Sequence, residues 1–137
     1  TEGAGHSMIE RIGGTRTGSG GQPLPFSRAT RAGDFVFVSG QVAFDADGEI
    51  VPGGIVAQTH QTMRNVIAVL EEAGCTLADV VKVGVWLDDP RDFQAFNRVY
   101  AGYFGDAPPA RSCVQSALMV DGKIEMDAIA YQPDGRR

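Results

Sequence analysis

A chain of 137 residues, 43% hydrophobic and 21% charged, is long enough to bury a core of its own and too apolar to remain disordered. Its net charge of −5 and the scatter of its twelve basic residues argue against nucleic acid as a partner, because phosphate binding needs clustered Lys and Arg. No apolar stretch approaches the roughly 20 residues of a membrane span, and the N-terminus lacks a charged-then-apolar signal layout, so the expectation is a cytoplasmic protein with no membrane partner.

Residues 1–7 precede Met8 and hold nothing that could anchor to a core, which reads as a tag remnant or disordered tail before a single domain over 8–137. A first strand is expected at Ile9–Ile12. The glycine-rich stretch Thr15 to Gln22 has no aliphatic residue and should be a mobile loop; it lacks the lysine and the following helix of a phosphate loop. Phe26–Arg31 and Phe35–Ser39 flank the turn Ala32-Gly33-Asp34 and predict a hairpin, with a second turn at Asp45-Ala46-Asp47-Gly48. Over Ile55–Ala73 the helical spacing puts Val56, His60, Met63, Ile67 and Leu70 on one side and Gln58, Gln61, Arg64, Glu71 and Glu72 elsewhere. Gly74 suits the left-handed cap that ends such a helix.

Val80–Leu87 is strongly β-forming and apolar on both faces, as a central strand would be. Asp88-Asp89-Pro90 supplies a capping carboxylate and then proline at the first helical position, predicting a helix over Pro90–Phe104 that buries Phe93, Phe96, Tyr100 and Phe104. After Pro108-Pro109, two β-rich segments follow, Arg111–Met119 and Lys123–Tyr131, joined through Val120-Asp121-Gly122. The order β-β-β-α-β-α-β-β predicts an α+β layer: one sheet, predominantly antiparallel, with both helices on one face.

Cys75 and Cys113 read as free thiols, and with His6 and His60 as the sole histidines no zinc spacing exists, so no metal is expected. Arg111 opens its strand beside Cys113, Gln115, Ala117 and Met119 on one face. A guanidinium is the side chain best suited to grip a carboxylate in two places, although a solvated rim arginine has the same signature. Glu125 is either one residue of a wet strand face or an acid–base group beside Arg111. Asn97 lies near the apolar stripe of the second helix, where a buried amide must find partners, either backbone or a pocket. His60 reads as a packed or subunit-contacting histidine. No Gly-x-Ser-x-Gly or Cys–His–Asn order supports covalent hydrolysis. Arg111 and Glu125 can cooperate within one hairpin only if the loop has three residues, Val120-Asp121-Gly122, pairing Ala117 with Glu125 and placing Arg111, Cys113 and Glu125 on one face; a two-residue loop would separate them. The longer loop is the expectation.

The run Pro109-Ala110-Arg111-Ser112-Cys113-Val114, followed by Lys123-Ile124-Glu125-Met126-Asp127-Ala128-Ile129-Ala130, resembles the C-terminal signature of the RidA/YjgF family, also called the L-PSP endoribonuclease family. Val38-Ser39-Gly40-Gln41, the helix from Gln58 to Ala73, and Phe93 to Phe104 around Asn97 agree in order, so the resemblance spans about Pro25 to Tyr131. It implies a chorismate-mutase-like fold, a homotrimer with clefts between subunits, and cofactor-independent deamination of 2-enamino or 2-imino acids to keto acids. It also implies that Arg111 binds the substrate carboxylate, that Glu125 positions or activates water, and that Ser39, Gly40, Asn97 and Cys113 line the cleft. A pathway-specific deaminase of the aminomuconate type, or a metabolite-binding or chaperone-like protein, would use the same cleft. The sequence departs at Phe26, where deaminases of the family place a tyrosine, and puts Arg28 close by, which bears on the substrate.

Overall fold

The computed structural model describes residues 8–14, 17 and 21–133; the expected tail and much of the glycine-rich loop lie outside the described residues. Six strands, β1 (Ile9–Ile12), β2 (Ala29–Ala32), β3 (Phe35–Val42), β4 (Val80–Leu87), β5 (Ala110–Gln115) and β6 (Ile124–Tyr131), form one sheet. Two helices, α1 (Gly54–Glu72) and α2 (Phe93–Phe104), complete the expected α+β order. The sheet runs β1-β2-β3-β6-β4-β5, antiparallel except where β5 lies parallel to β4.

Alternation decides which sheet face is covered. Val36 and Val38 of β3, Val83 and Val85 of β4, and Ile124, Met126, Ala128 and Ala130 of β6 are buried beneath Met63, Val66, Val69 and Leu70 of α1 and Phe96 and Tyr100 of α2. Burying each of the larger of these side chains is worth about 1.5–3 kcal/mol. The intervening residues face the other way, and Phe35 and Phe37 remain 41% and 42% exposed there.

The predicted β2–β3 hairpin closes around Gly33-Asp34, with Ala32 paired to Phe35. Asp45 organises the next turn, accepting Asp47 and Glu49 backbone N–H bonds on Oδ1. Helix α1 ends as expected: Gly74 is left-handed at φ 79°, and the Cys75 N–H returns to the Leu70 carbonyl at 2.8 Å. Its buried stripe, however, is rotated from the predicted one. Met63 and Leu70 are buried, but Val56 is 47% exposed and His60 and Ile67 are half-buried, while Gln58, Thr59 and Thr62 turn inward. Gln58 earns its place by accepting the Lys123 N–H at 2.9 Å. In the second helix the first turn, Pro90–Asp92, is a tighter 3₁₀ turn, capped by Asp89. Phe96 and Tyr100 are buried there as predicted, whereas Phe93 stays 41% exposed.

The expected hairpin between Arg111's strand and Glu125's does not form. Strand β4 lies between them, parallel to β5 and antiparallel to β6, so a strand apolar on both faces gains two neighbours. Residues 116–123 arch over the end of β4, pinned by Ser116 N–H to the Leu87 carbonyl at 2.9 Å and by Asp88 N–H to the Lys123 carbonyl at 3.0 Å.

One buried cation belongs to the frame. Arg31 of β2 is 5% exposed and donates to the Gln132 carbonyl at 3.1 Å and to the Ala73 carbonyl at the end of α1 at 3.0 Å. A helix C-terminus is favourable ground for a positive charge.

Candidate active site in two halves

The first half is built by α2 and β5. Phe93, Phe96, Asn97 and Tyr100 recur at positions that share one side of α2, and that side faces Arg111. The guanidinium carbon lies 5.3 Å from the Phe96 ring centre and 4.9 Å from that of Tyr100, with Phe93 at 5.7 Å, an aromatic cradle of the kind that attracts cations. Arg111 Nη1 donates to Asn97 Oδ1 at 2.8 Å, which fixes one edge of the fork and leaves its other donors for an anion. Cys113, two residues along, shares this face. Burial pushes its thiol up and the arginine only partly opposes this, so it is a neutral wall group instead of a thiolate. With Leu87 and Phe93 it lines a hollow of about 200 Å³. The Tyr100 hydroxyl, buried here, has no hydrogen-bond partner among the described residues.

The second half lies on the open face. Glu125 pairs with Val42 of β3 and Trp86 of β4, and its carboxylate rests directly over Gly40, where any Cβ would collide with Oε2. Burial raises the Glu125 carboxyl above the ordinary glutamate range, and the charge of Asp127 adds to that. Ser39 donates through Oγ to the Ser27 carbonyl at 2.6 Å, bringing the segment that carries Phe26 alongside. Phe26 is 45% exposed. Arg28 is turned away from this half: its guanidinium pairs with Glu72 at the end of α1, at 2.9 Å.

The register therefore overturns the expectation that Arg111 and Glu125 share a face. Arg111 pairs with Val83, which also pairs with Ala128, on the helix-covered face. Glu125 pairs with Trp86, which pairs with Val114, on the open face. Within one chain, Arg111, Cys113 and Asn97 stand together, and Glu125 and Gly40 stand together next to Ser39, with the sheet between the two sets. His60 joins neither; its Nδ1 lies 2.7 Å from the Tyr103 hydroxyl between α1 and α2, the packed role foreseen for it. Tyr100, expected only as a buried core residue, belongs to this site, and the alternation of β6 places Asp127 on the face of Glu125.

The sequence matches the endoribonuclease L-PSP family over residues 21–132. The chain belongs to this family, the RidA/YjgF family. It is 51% identical over 110 residues to a RutC family protein of Pyrococcus abyssi, covering 79% of this chain and 87% of that one. It is 42% identical over 110 residues to a 2-iminobutanoate/2-iminopropanoate deaminase of Capra hircus, covering 79% and 80% respectively. The crystal structure of yeast Mmf1 superposes with a TM-score of 0.82 at 34% identity, covering 90% of this chain and 98% of that one. The fold is thus the family's, and relatives near 40% identity bear the name of an imine deaminase. No helix among the described residues is long and apolar enough to cross a membrane.

Proposed function

We propose that this protein is a cofactor-independent deaminase that hydrolyses 2-imino or 2-enamino acids to 2-keto acids and ammonia, in clefts between the subunits of a homotrimer. The observation that carries this reading is the Arg111 fork, held against three aromatic rings and Asn97 with donors to spare. The opposite placement of Glu125 supports a shared cleft: a site using both residues must take Arg111 from one subunit and Glu125 from the next. Contacts between unlike surfaces of identical chains close into rings.

The chemistry asks little of such a cleft. Arg111 grips the carboxylate in two places, which aims the adjacent imine carbon, already electrophilic, toward the half of the cleft that carries Glu125. Glu125 manages the protons as water adds to that carbon and the carbon–nitrogen bond breaks, yielding a keto acid and ammonia. Asn97 orients the guanidinium; Cys113, Ser39, Gly40 and Phe26 shape the walls. Phe26 lacks the phenolic hydroxyl of the family's tyrosine, which bears on which imino acid fits best.

Ammonia release from 2-iminobutanoate, generated in place by an amino-acid oxidase, tests the reading. Arg111→Ala should lower kcat/KM by roughly 100-fold or more, the scale of losing an oriented, charge-assisted contact. Glu125→Gln should abolish turnover while 2-oxobutanoate still binds. A wild-type protein that releases ammonia no faster than buffer, yet binds the keto acid, would leave a binding protein in place of an enzyme.

A further inference from the structure

Strand β6 carries a second carboxylate on the face of Glu125. Asp127 pairs with Gly84 of β4 and accepts that residue's backbone N–H on Oδ1 at 3.0 Å. The close approach exists because Gly84 has no side chain: a Cβ there would collide with the same oxygen and come within 3.2 Å of the Trp86 ring. Gly40 of β3 makes the matching recess for Glu125. Two strands flanking β6 therefore each offer a glycine where a carboxylate settles onto backbone, an arrangement that solvated acids on a strand face do not need.

The two recesses are chemically unequal. Asp127 receives the Gly84 backbone N–H, whereas no hydrogen bond holds the Glu125 carboxylate among the described residues. Burial and the neighbouring anion both favour the neutral form of Glu125. Few opposing charges face it within the chain. Strand β3 brings Ser39, Gly40 and Val42; β4 brings Trp86 and Gly84, with Lys82 opposite Ile129 beyond Asp127; and Lys123, before β6, lies 3.7 Å from Asp92. In the cleft of the proposed function, Arg111 of the adjoining subunit is the remaining charge, and the substrate carboxylate neutralises it.

We propose that Asp127 is a positioning residue for the deamination, an anion locked in the Gly84 recess that makes Glu125 the member of the pair carrying the exchangeable proton. The inference rests on the proposed role of Glu125. In the step it serves, protonated Glu125 gives its proton to the imine nitrogen and the resulting carboxylate takes one from the water that bonds to carbon. Glu125 then returns that proton to nitrogen and takes the proton of the new hydroxyl as the carbonyl forms, the carbon–nitrogen bond breaks and ammonia leaves, so Glu125 ends protonated as it began.

The test is a carbon-13 titration of the glutamate carboxyls in the intact assembly, with Glu125→Gln identifying the resonance. Glu125 should titrate above the other glutamates in the wild type. In Asp127→Asn its midpoint should fall toward theirs, and the corresponding limb of the kcat/KM profile should move to lower pH with it. Asp127→Glu, which keeps the charge, should hold the midpoint up. Asp127→Ser removes the charge with a smaller group and serves if the asparagine variant does not fold. An unmoved Glu125 midpoint in a folded, charge-removed variant overturns the inference, even where Glu125→Gln is inactive and the role of Glu125 stands. Full turnover by Glu125→Gln would instead remove that role and the inference together.

Discussion

The two faces of the sheet are made from similar residues and meet different fates. On one, Val36, Val83, Val85, Ile124 and Met126 lie at 2% exposure or less beneath α1 and α2, and the chain has finished its own core. On the other, Phe35, Phe37, Val114 and Tyr131 are 40% to 51% exposed, with the Phe35 and Tyr131 rings tilted 53° to each other at 5.2 Å between centres, and Glu125 and Asp127 sit among them. A contiguous apolar face rimmed by polar groups is the ordinary mark of an interaction surface. The Arg111 half of the site belongs to the finished side and the Glu125 half to the unfinished one, so the proposed chemistry depends on assembly and the fold of the subunit does not.

Substitutions on the two faces should therefore separate stability from assembly. Met63 is fully buried on the helix side, and Met63→Ala should cost about 2–5 kcal/mol in denaturant unfolding; a loss well under 1 kcal/mol would mean that this core is looser than its burial implies. Phe37→Asp, on the open side, should leave the circular dichroism of the subunit nearly unchanged while light scattering drops from trimer to monomer and deaminase activity disappears. A trimer that persists with full activity would show that this face is not where subunits meet. The smallest effect belongs to Phe26→Tyr, which adds one polar atom at an exposed ring: unfolding should shift by less than about 0.5 kcal/mol, while activity on short imino acids rises. An unchanged substrate profile would place Phe26 outside the cleft.

Much of this architecture could be read from local signals. The β-forming alternation of Val80–Leu87 located β4 to the residue, the first strand expected at about Ile9–Ile12 is β1, and Gly74 and Asp89-Pro90 marked the helix ends because caps are short-range chemistry. Non-local pairing is where the reading failed. Val120-Asp121-Gly122 has the composition of a hairpin turn, but nothing local to it records that β4 would claim both neighbouring edges, and that one insertion moved Arg111 and Glu125 to opposite faces. The stripe of α1 went astray because Gln58, Thr59 and Thr62 turn inward despite their polarity, and the hydrogen bond that draws Gln58 in comes from Lys123, far along the chain. Phe93, Phe96, Asn97 and Tyr100 were visible as a stripe; that they cradle Arg111 required the parallel register of β5.

Arg31 carries a consequence for how a subunit comes into being. Its guanidinium is satisfied at the end of α1 and by Gln132, and β6, the last strand described, is the one that joins β1-β2-β3 to β4-β5. Until β6 is in place, the two halves of the sheet have no strand in common and Arg31 lacks the Gln132 carbonyl that helps to bury it. A subunit without β6 has an interior it cannot close, because the two halves of the sheet share no other strand.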